Sequence, residues 1–173
     1  KKLMKSKENI VFLGMMGSGK SSIGSLFSKK LNLNFFDIDK IIELETGMKI
    51  SRIFEIRGEK FFREIEEKIT LKILKKKKVV ISLGGGAFLN HSIRKEILDN
   101  HISFWLKLNS STIIDRIKNK SNRPIAKNLT KNELISLIKK RSNIYAKALY
   151  KVKCDSLKKN EVVEKILNIY ETH

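Results

Sequence analysis

A chain of 173 residues suits one domain and leaves no room for two full cores. Hydrophobic residues make up 41% of it, which excludes a disordered chain. Lys and Arg number 37 against 18 Asp and Glu, a net charge of +19. Such a balance suits anionic ligands, whether nucleic acid, acidic membranes or phosphorylated small molecules, although lysine spread evenly among Asn and Ile also reads as solvated helix faces.

The basic start before Ile10-Val11-Phe12-Leu13 imitates a signal peptide. The apolar run is short, Lys20 follows soon after, and no small-residue cleavage site appears. No stretch nears the roughly 18 apolar residues of a membrane span, so a cytoplasmic protein is expected. Ile10 to Leu13 reads as a buried strand, and Ser21 to Leu31 as a helix through Ile23, Leu26, Phe27 and Leu31. Phe35 to Asp39 is a second strand. Lys60 to Leu74 is a helix with Phe62, Ile65, Ile69 and Ile73 on one face, and Lys75 to Lys78 form a solvated turn. Val79 to Leu83 is a third strand, stopped by Gly84-Gly85-Gly86. His91 to Leu98 is a helix, Ile102 to Leu108 a strand and Ser110 to Ile117 a helix. The polar stretch Lys118–Thr130 holds the only proline, Pro124, and is expected to be a lid. Asn132 to Tyr150 is a long helix, Val152 to Asp155 a fifth strand and Glu161 to Tyr170 the last helix. The lone cysteine, Cys154, excludes an internal disulfide and a multi-cysteine zinc site. His91, His101 and His173 have no ligand spacing. Apolar strands alternating with helices predict an α/β fold: a parallel sheet covered on both faces.

One segment carries specific chemistry. Gly14-Met15-Met16-Gly17-Ser18-Gly19-Lys20-Ser21 matches G-x-x-x-x-G-K-[ST] in full and lies between a strand and a helix. Its glycines let successive N–H groups face phosphate oxygens, and the following helix directs its positive end at them. Lys20 is expected to bridge the terminal phosphates of ATP, and Ser21 to offer its hydroxyl to Mg²⁺. A GTPase is disfavoured, because Asn119-Lys120-Ser121-Asn122 has Asn where guanine reading needs Asp. A motor ATPase is disfavoured too, because no interior strand ends in a carboxylate. The acidic pair is instead Asp37 and Asp39, two apart and expected to share one side of the second strand. One could support Mg²⁺ and the other take a proton from an attacking hydroxyl, or Asp39 could cap a following helix. Gly84-Gly85-Gly86 would let backbone approach a flat or polyhydroxylated ligand. Arg63, Arg123 and Arg141 are candidate planar donors to carboxylate or phosphate.

Together these pieces resemble the shikimate kinase family of nucleoside-monophosphate-kinase-like enzymes. The resemblance rests on the phosphate loop, Phe36-Asp37-Ile38-Asp39, the run from Phe54 through Gly58-Glu59 to Phe62-Arg63-Glu64-Ile65-Glu66, Ser82-Leu83-Gly84-Gly85-Gly86-Ala87, Arg123-Pro124 and Arg141-Ser142-Asn143-Ile144-Tyr145. It implies a three-layer α/β/α P-loop kinase fold with five parallel strands in the order 2-3-1-4-5. It implies one kinase domain over 1–173, with a substrate-binding insert at about 38–74 and a lid at about 118–130. The implied reaction moves the γ-phosphate of ATP to the 3-hydroxyl of shikimate, in aromatic amino-acid biosynthesis. Lys20, Asp39 and Arg123 would be catalytic. Nucleotide would lie on Gly14, Met15, Met16, Gly17, Ser18, Gly19, Lys20, Ser21 and Ser22, with Arg116, Arg123 and Lys158. Lys158 stands where the family usually has arginine. Shikimate would meet Asp39, Arg63, Gly84, Gly85, Gly86 and Arg141, with Glu66 supporting that region. Ser21 and Asp37 would serve Mg²⁺. The expected partner is shikimate alone, with no nucleic acid and no membrane, and the chain is expected to be a monomer. Another small-molecule or nucleoside-monophosphate kinase of this fold is the nearest alternative, and a nucleic-acid-binding ATPase a more distant one.

Overall fold

The computed structural model describes residues 9–119 and 128–173. Five strands form one parallel sheet: β1 (Ile10–Leu13), β2 (Asn34–Asp37), β3 (Val79–Ser82), β4 (Ile102–Lys107) and β5 (Tyr150–Lys153). Their order is β2-β3-β1-β4-β5, as the resemblance implies. β1 and β3 are buried along their whole length, which is why both read as continuous apolar runs rather than alternating ones.

The helices are α1 (Lys20–Leu31), α2 (Ile38–Thr46), α3 (Ile50–Leu74), α4 (His91–Asn100), α5 (Ser110–Lys118), α6 (Lys131–Tyr145) and α7 (Lys159–Glu171). α1 packs on α7, where Phe27 meets the Tyr170 ring edge-on, and α3 packs on α4. Parallel pairing forces each connection to cross the sheet, so the helices layer its faces. Among the described residues no helix is long and apolar enough to cross a membrane.

Three boundaries differ from expectation. β2 stops at Asp37, and Asp39 lies in the first turn of α2, so the two carboxylates do not share a strand. α3 begins at Ile50, ten residues before the expected start at Lys60, because Gly58 (φ 82°, ψ 171°) kinks it and breaks the helical pattern. α6 ends at Tyr145, and the residue expected to close that helix, Tyr150, opens β5 against Phe104 instead. Of the expected lid, Lys118 closes α5, and Asn119 caps it. Thr130 forms a reciprocal capping box with Glu133 at the start of α6. Residues 120–127, and with them Arg123 and Pro124, lie outside the described residues.

A buried asparagine ties the amino ends of the strands together. Asn9 Nδ2 donates to the Leu74 and Lys76 carbonyls at 3.1 and 2.7 Å, and its Oδ1 accepts from Val79 N at 3.1 Å. The Asn9 carbonyl accepts from Ile102 N at 2.9 Å. Asn9→Ala would orphan three backbone groups, two of them buried. It is expected to cost about 2–3 kcal/mol, read as a melting temperature lower by about 5–10 °C with KM values unchanged.

At the opposite pole three strands end together. Phe12 and Asp37 both pair in register with Ser82, and Leu83 N donates to Phe12 O at 3.0 Å. The loops after β1, β2 and β3 therefore leave the sheet side by side at its carboxyl edge, where open α/β sheets bind ligands.

Candidate active site

The loop after β1 turns on glycines at positive φ: Gly14 at 144°, Gly17 at 82° and Gly19 at 89°. Gly19 is the N-cap of α1 and has no side chain to satisfy the first helical N–H groups, which stay available to an anion. The Lys20 side chain lies buried inside the loop, where Nζ donates to the Gly14 carbonyl at 2.8 Å and the Met15 carbonyl at 3.0 Å. Met16, Gly17, Gly19, Lys20, Ser21 and Ser22 line a cleft of about 1230 Å³. Met15 and Ser18 are buried behind the loop, so they present backbone rather than side chain.

Ser21 Oγ donates to Asp37 Oδ2 at 2.6 Å. Asp37 also accepts from Lys40 N at 3.4 Å, which makes Asp37, not Asp39, the cap of α2. That cap rotates the chain from strand to helix and turns Asp39 into the cleft. Burial pushes the Asp39 carboxyl up to about 6; the Lys20 ammonium opposes the rise, and Asp37, Glu66 and Glu43 add to it. A carboxyl titrating so near neutrality suits proton transfer. Glu43, one turn along α2 from Asp39, lines the same cleft and accepts from Ile50 N at 3.0 Å, holding the start of α3. Sequence reasoning missed Glu43; its signal was the four-residue spacing, hidden while Asp39 was assigned to a strand.

α3 supplies the other wall. Arg63 Nη1 donates to Glu66 Oε1 at 2.8 Å, and its guanidinium lies 5.3 Å from the Phe62 ring centre. Burial raises the Glu66 carboxyl, and the bonded Arg63 pulls it part of the way back. Phe54 and Phe62, ring centres 4.8 Å apart, face the cleft beside them. From α6 comes Arg141, 4% exposed, whose Nε and Nη1 have no hydrogen-bond partner among the described residues. Leaving a buried guanidinium unsatisfied is costly, and its presence on a cleft wall marks an anion position.

The glycine triplet has a second role beside the expected one. A Cβ on Gly84 would come within 2.8 Å of Asp39 Oδ1 and 2.9 Å of Glu66 Oε2, and one on Gly86 within 2.6 Å of the Arg63 guanidinium nitrogens. These two glycines make room for charged side chains. Only Gly85 and Gly86 line the cleft; Gly84 lies behind.

At the far end, Arg116 Nη1 donates to the Gly17 carbonyl at 2.9 Å and lines the cleft with Asn119. Asp155 Oδ1 accepts from Asn109 N at 2.8 Å and so fixes the start of α5. Lys158 does not line the cleft. It is the N-cap of α7, with its N–H donating to Glu161 Oε1 at 3.0 Å, and Lys159, the first residue of that helix, faces the cleft in its place. Among the described residues no three His, Cys, Asp or Glu side chains form a metal cluster.

One cleft thus joins a phosphate loop, a carboxyl raised toward neutrality and three arginines. The sequence profile described as Shikimate kinase matches residues 16–171. A shikimate kinase of Thermodesulfovibrio yellowstonii is 41% identical over 165 residues, 95% of each chain. One of Sulfurihydrogenibium sp. is 39% identical over 160 residues, 92% of this chain and 96% of its own. The structure of the shikimate kinase from Acinetobacter baumannii in complex with shikimate superposes with a TM-score of 0.91 at 28% identity, covering 99% of this chain and 97% of that one.

Proposed function

The chain belongs to the shikimate kinase family, and from that premise we infer that it transfers the γ-phosphate of ATP to the 3-hydroxyl of shikimate. The observation that carries the acceptor assignment is Arg141, a buried guanidinium with unsatisfied donors facing the cleft that also holds Lys20 and Asp39. A carboxylate offers two planar acceptors for such a fork. A neutral polyol offers none.

In this reading ATP lays its phosphates on Gly14–Ser21, with Lys20 leaving the loop carbonyls for the terminal phosphates. Ser22 lines that end, and Arg116 and Lys159 lie toward the nucleoside. The shikimate carboxylate is held between Arg63 and Arg141, its ring passes over Gly85 and Gly86, and its hydroxyls reach Asp39. Asp39 accepts the proton of the attacking hydroxyl. Phosphoryl transfer needs little covalent help, so the rate comes from positioning and charge. The hydroxyl of Ser21 and the carboxylate of Asp37 would hold Mg²⁺. They are hard oxygen donors already in contact, and such an ion completes its shell from phosphates and water. Bound there, Mg²⁺ would neutralise phosphate charge. Dependence on ATP supports action in the cytoplasm.

Two variants test the clamp. Arg63→Ala is expected to raise the shikimate KM about a hundredfold and the ATP KM less than threefold, read in initial-rate assays varying each substrate. Gly86→Ala is expected to act in the same direction by displacing the guanidinium. The backbone tolerates it, because φ at Gly86 is −102° and suits any residue, but the melting temperature should fall by several degrees as the buried Glu66 loses its partner. Equal losses for both substrates would count against an arginine clamp on the acceptor.

A further inference from the structure

Tyr145 is the last residue of α6 and stands one helical turn beyond Arg141, on the same face. Its side chain is 1% exposed, and its ring lies 5.9 Å from that of Trp105. The phenol oxygen is the meeting point of three parts of the site. It donates to the carbonyl of Gly85, the glycine that lines the cleft. It lies 3.7 Å from Met15 Sδ, in the residue whose carbonyl accepts Lys20 Nζ. The Arg141 guanidinium is an electrostatic neighbour of the same phenol, and its Nη1 stands 3.4 Å from where a Cβ on Gly85 would lie.

Burial pushes the phenol up to about 12, so the group remains an O–H donor across the whole working pH range. It has one proton to give, and the close Gly85 carbonyl takes it; thioether sulfur is a weak acceptor and receives mainly packing. The Arg141 fork packs against the Gly85 backbone that the phenol holds, so one atom fixes the ground on which the fork rests, and the ring keeps both against the phosphate loop. In the reading above, Arg141 holds the acceptor carboxylate and Gly85 borders its ring.

We propose that Tyr145 is a positioning residue for phosphoryl transfer: its hydroxyl fixes the acceptor clamp, Arg141 and the Gly85 backbone, in register with the phosphate loop. This rests on the assignment of Arg141 to the acceptor carboxylate. Tyr145 does not line the cleft. It acts through two groups that do, and a misplaced acceptor costs rate steeply.

The test is Tyr145→Phe, which keeps every ring atom and removes only the hydroxyl. Initial rates are measured with shikimate and ATP varied separately, for the wild type, Tyr145→Phe, Arg141→Ala and the double variant. Melting curves are recorded alongside, and trimethylamine oxide is present in all arms so that each protein is folded at the assay temperature. Tyr145→Phe is expected to raise the shikimate KM about 5–20-fold and lower kcat about 2–10-fold, with the ATP KM within about twofold. In the Arg141→Ala background the same change is expected to move the shikimate KM by less than about twofold, because the group it positions is gone.

A lower melting temperature with both KM values within twofold, or with both moved equally, overturns the proposal and leaves Tyr145 a packing residue. So does full additivity in the double variant. An unchanged shikimate KM in Arg141→Ala would instead remove the acceptor role of Arg141 itself. Such a result fails the underlying assignment and is separate from the Tyr145 outcomes.

Discussion

Lys20→Ala is expected to lower kcat/KM by about a thousandfold, roughly 4 kcal/mol of transition-state stabilisation. The size follows from where the side chain rests. Nζ is buried inside the loop and bonded to two neutral carbonyls, Gly14 and Met15. Moving onto phosphate oxygens exchanges those acceptors for charged ones, and the gain grows as charge develops on the transferring group. Alanine removes the only buried lysine on the cleft wall among the described residues. The melting temperature is expected to fall by several degrees, since two buried carbonyls lose their donor. The check is a steady-state assay beside a thermal melt. Activity within tenfold of wild type in a folded variant would deny Lys20 its phosphate role.

Asp39→Asn is expected to lower kcat by a hundredfold to ten-thousandfold, the range for loss of a positioned base. The same substitution is expected to stabilise the protein near neutral pH. Asp39 titrates at about 6 in the folded chain against an ordinary 3.8, chiefly because burial opposes its charge. Between those values the folded protein holds a proton that the unfolded chain has released. Stability therefore falls as pH rises from about 4 to about 6, and the cost persists above that window. Asparagine carries no charge and avoids it, so the variant should melt a few degrees higher at pH 7.5 and gain nothing near pH 4. Activity runs the other way. The wild-type rate should fall about tenfold per unit below pH 6 as Asp39 takes up its proton, and the variant should lose that acid limb. A loss confined to the shikimate KM would make Asp39 a binding group rather than a base.

Much of this site was legible in the sequence, for physical reasons that differ by element. The strands β1, β3 and β4 announced themselves because central parallel strands are buried on both faces and read as unbroken apolar runs. The phosphate loop was legible because its backbone demands glycine at fixed places. Asp39 was found, but its setting was misread: a strand of four residues leaves little periodicity, and the Asp37 cap that starts α2 depends on a side-chain bond rather than a pattern. The first half of α3 was hidden by Gly58, and the start of β5 by residues 146–150, whose Ala-Lys-Ala-Leu run favours helix until pairing with β4 overrides it. Gly84 and Gly86 were identified for approach to ligand, and their room for Asp39, Glu66 and Arg63 was not. Such a requirement is tertiary and leaves no local trace. Lys158 missed the cleft by one residue, because the start of α7 decides which of two adjacent lysines faces inward.

The most direct test is ADP release coupled to a spectrophotometric readout, with ATP and Mg²⁺, in the presence and absence of shikimate, and with the product identified by phosphorus NMR. ADP formation that depends on shikimate and yields one phosphate monoester on the 3-oxygen is the predicted result. Phosphorylation of gluconate or a nucleoside monophosphate, with no shikimate-dependent ADP release, would contradict it.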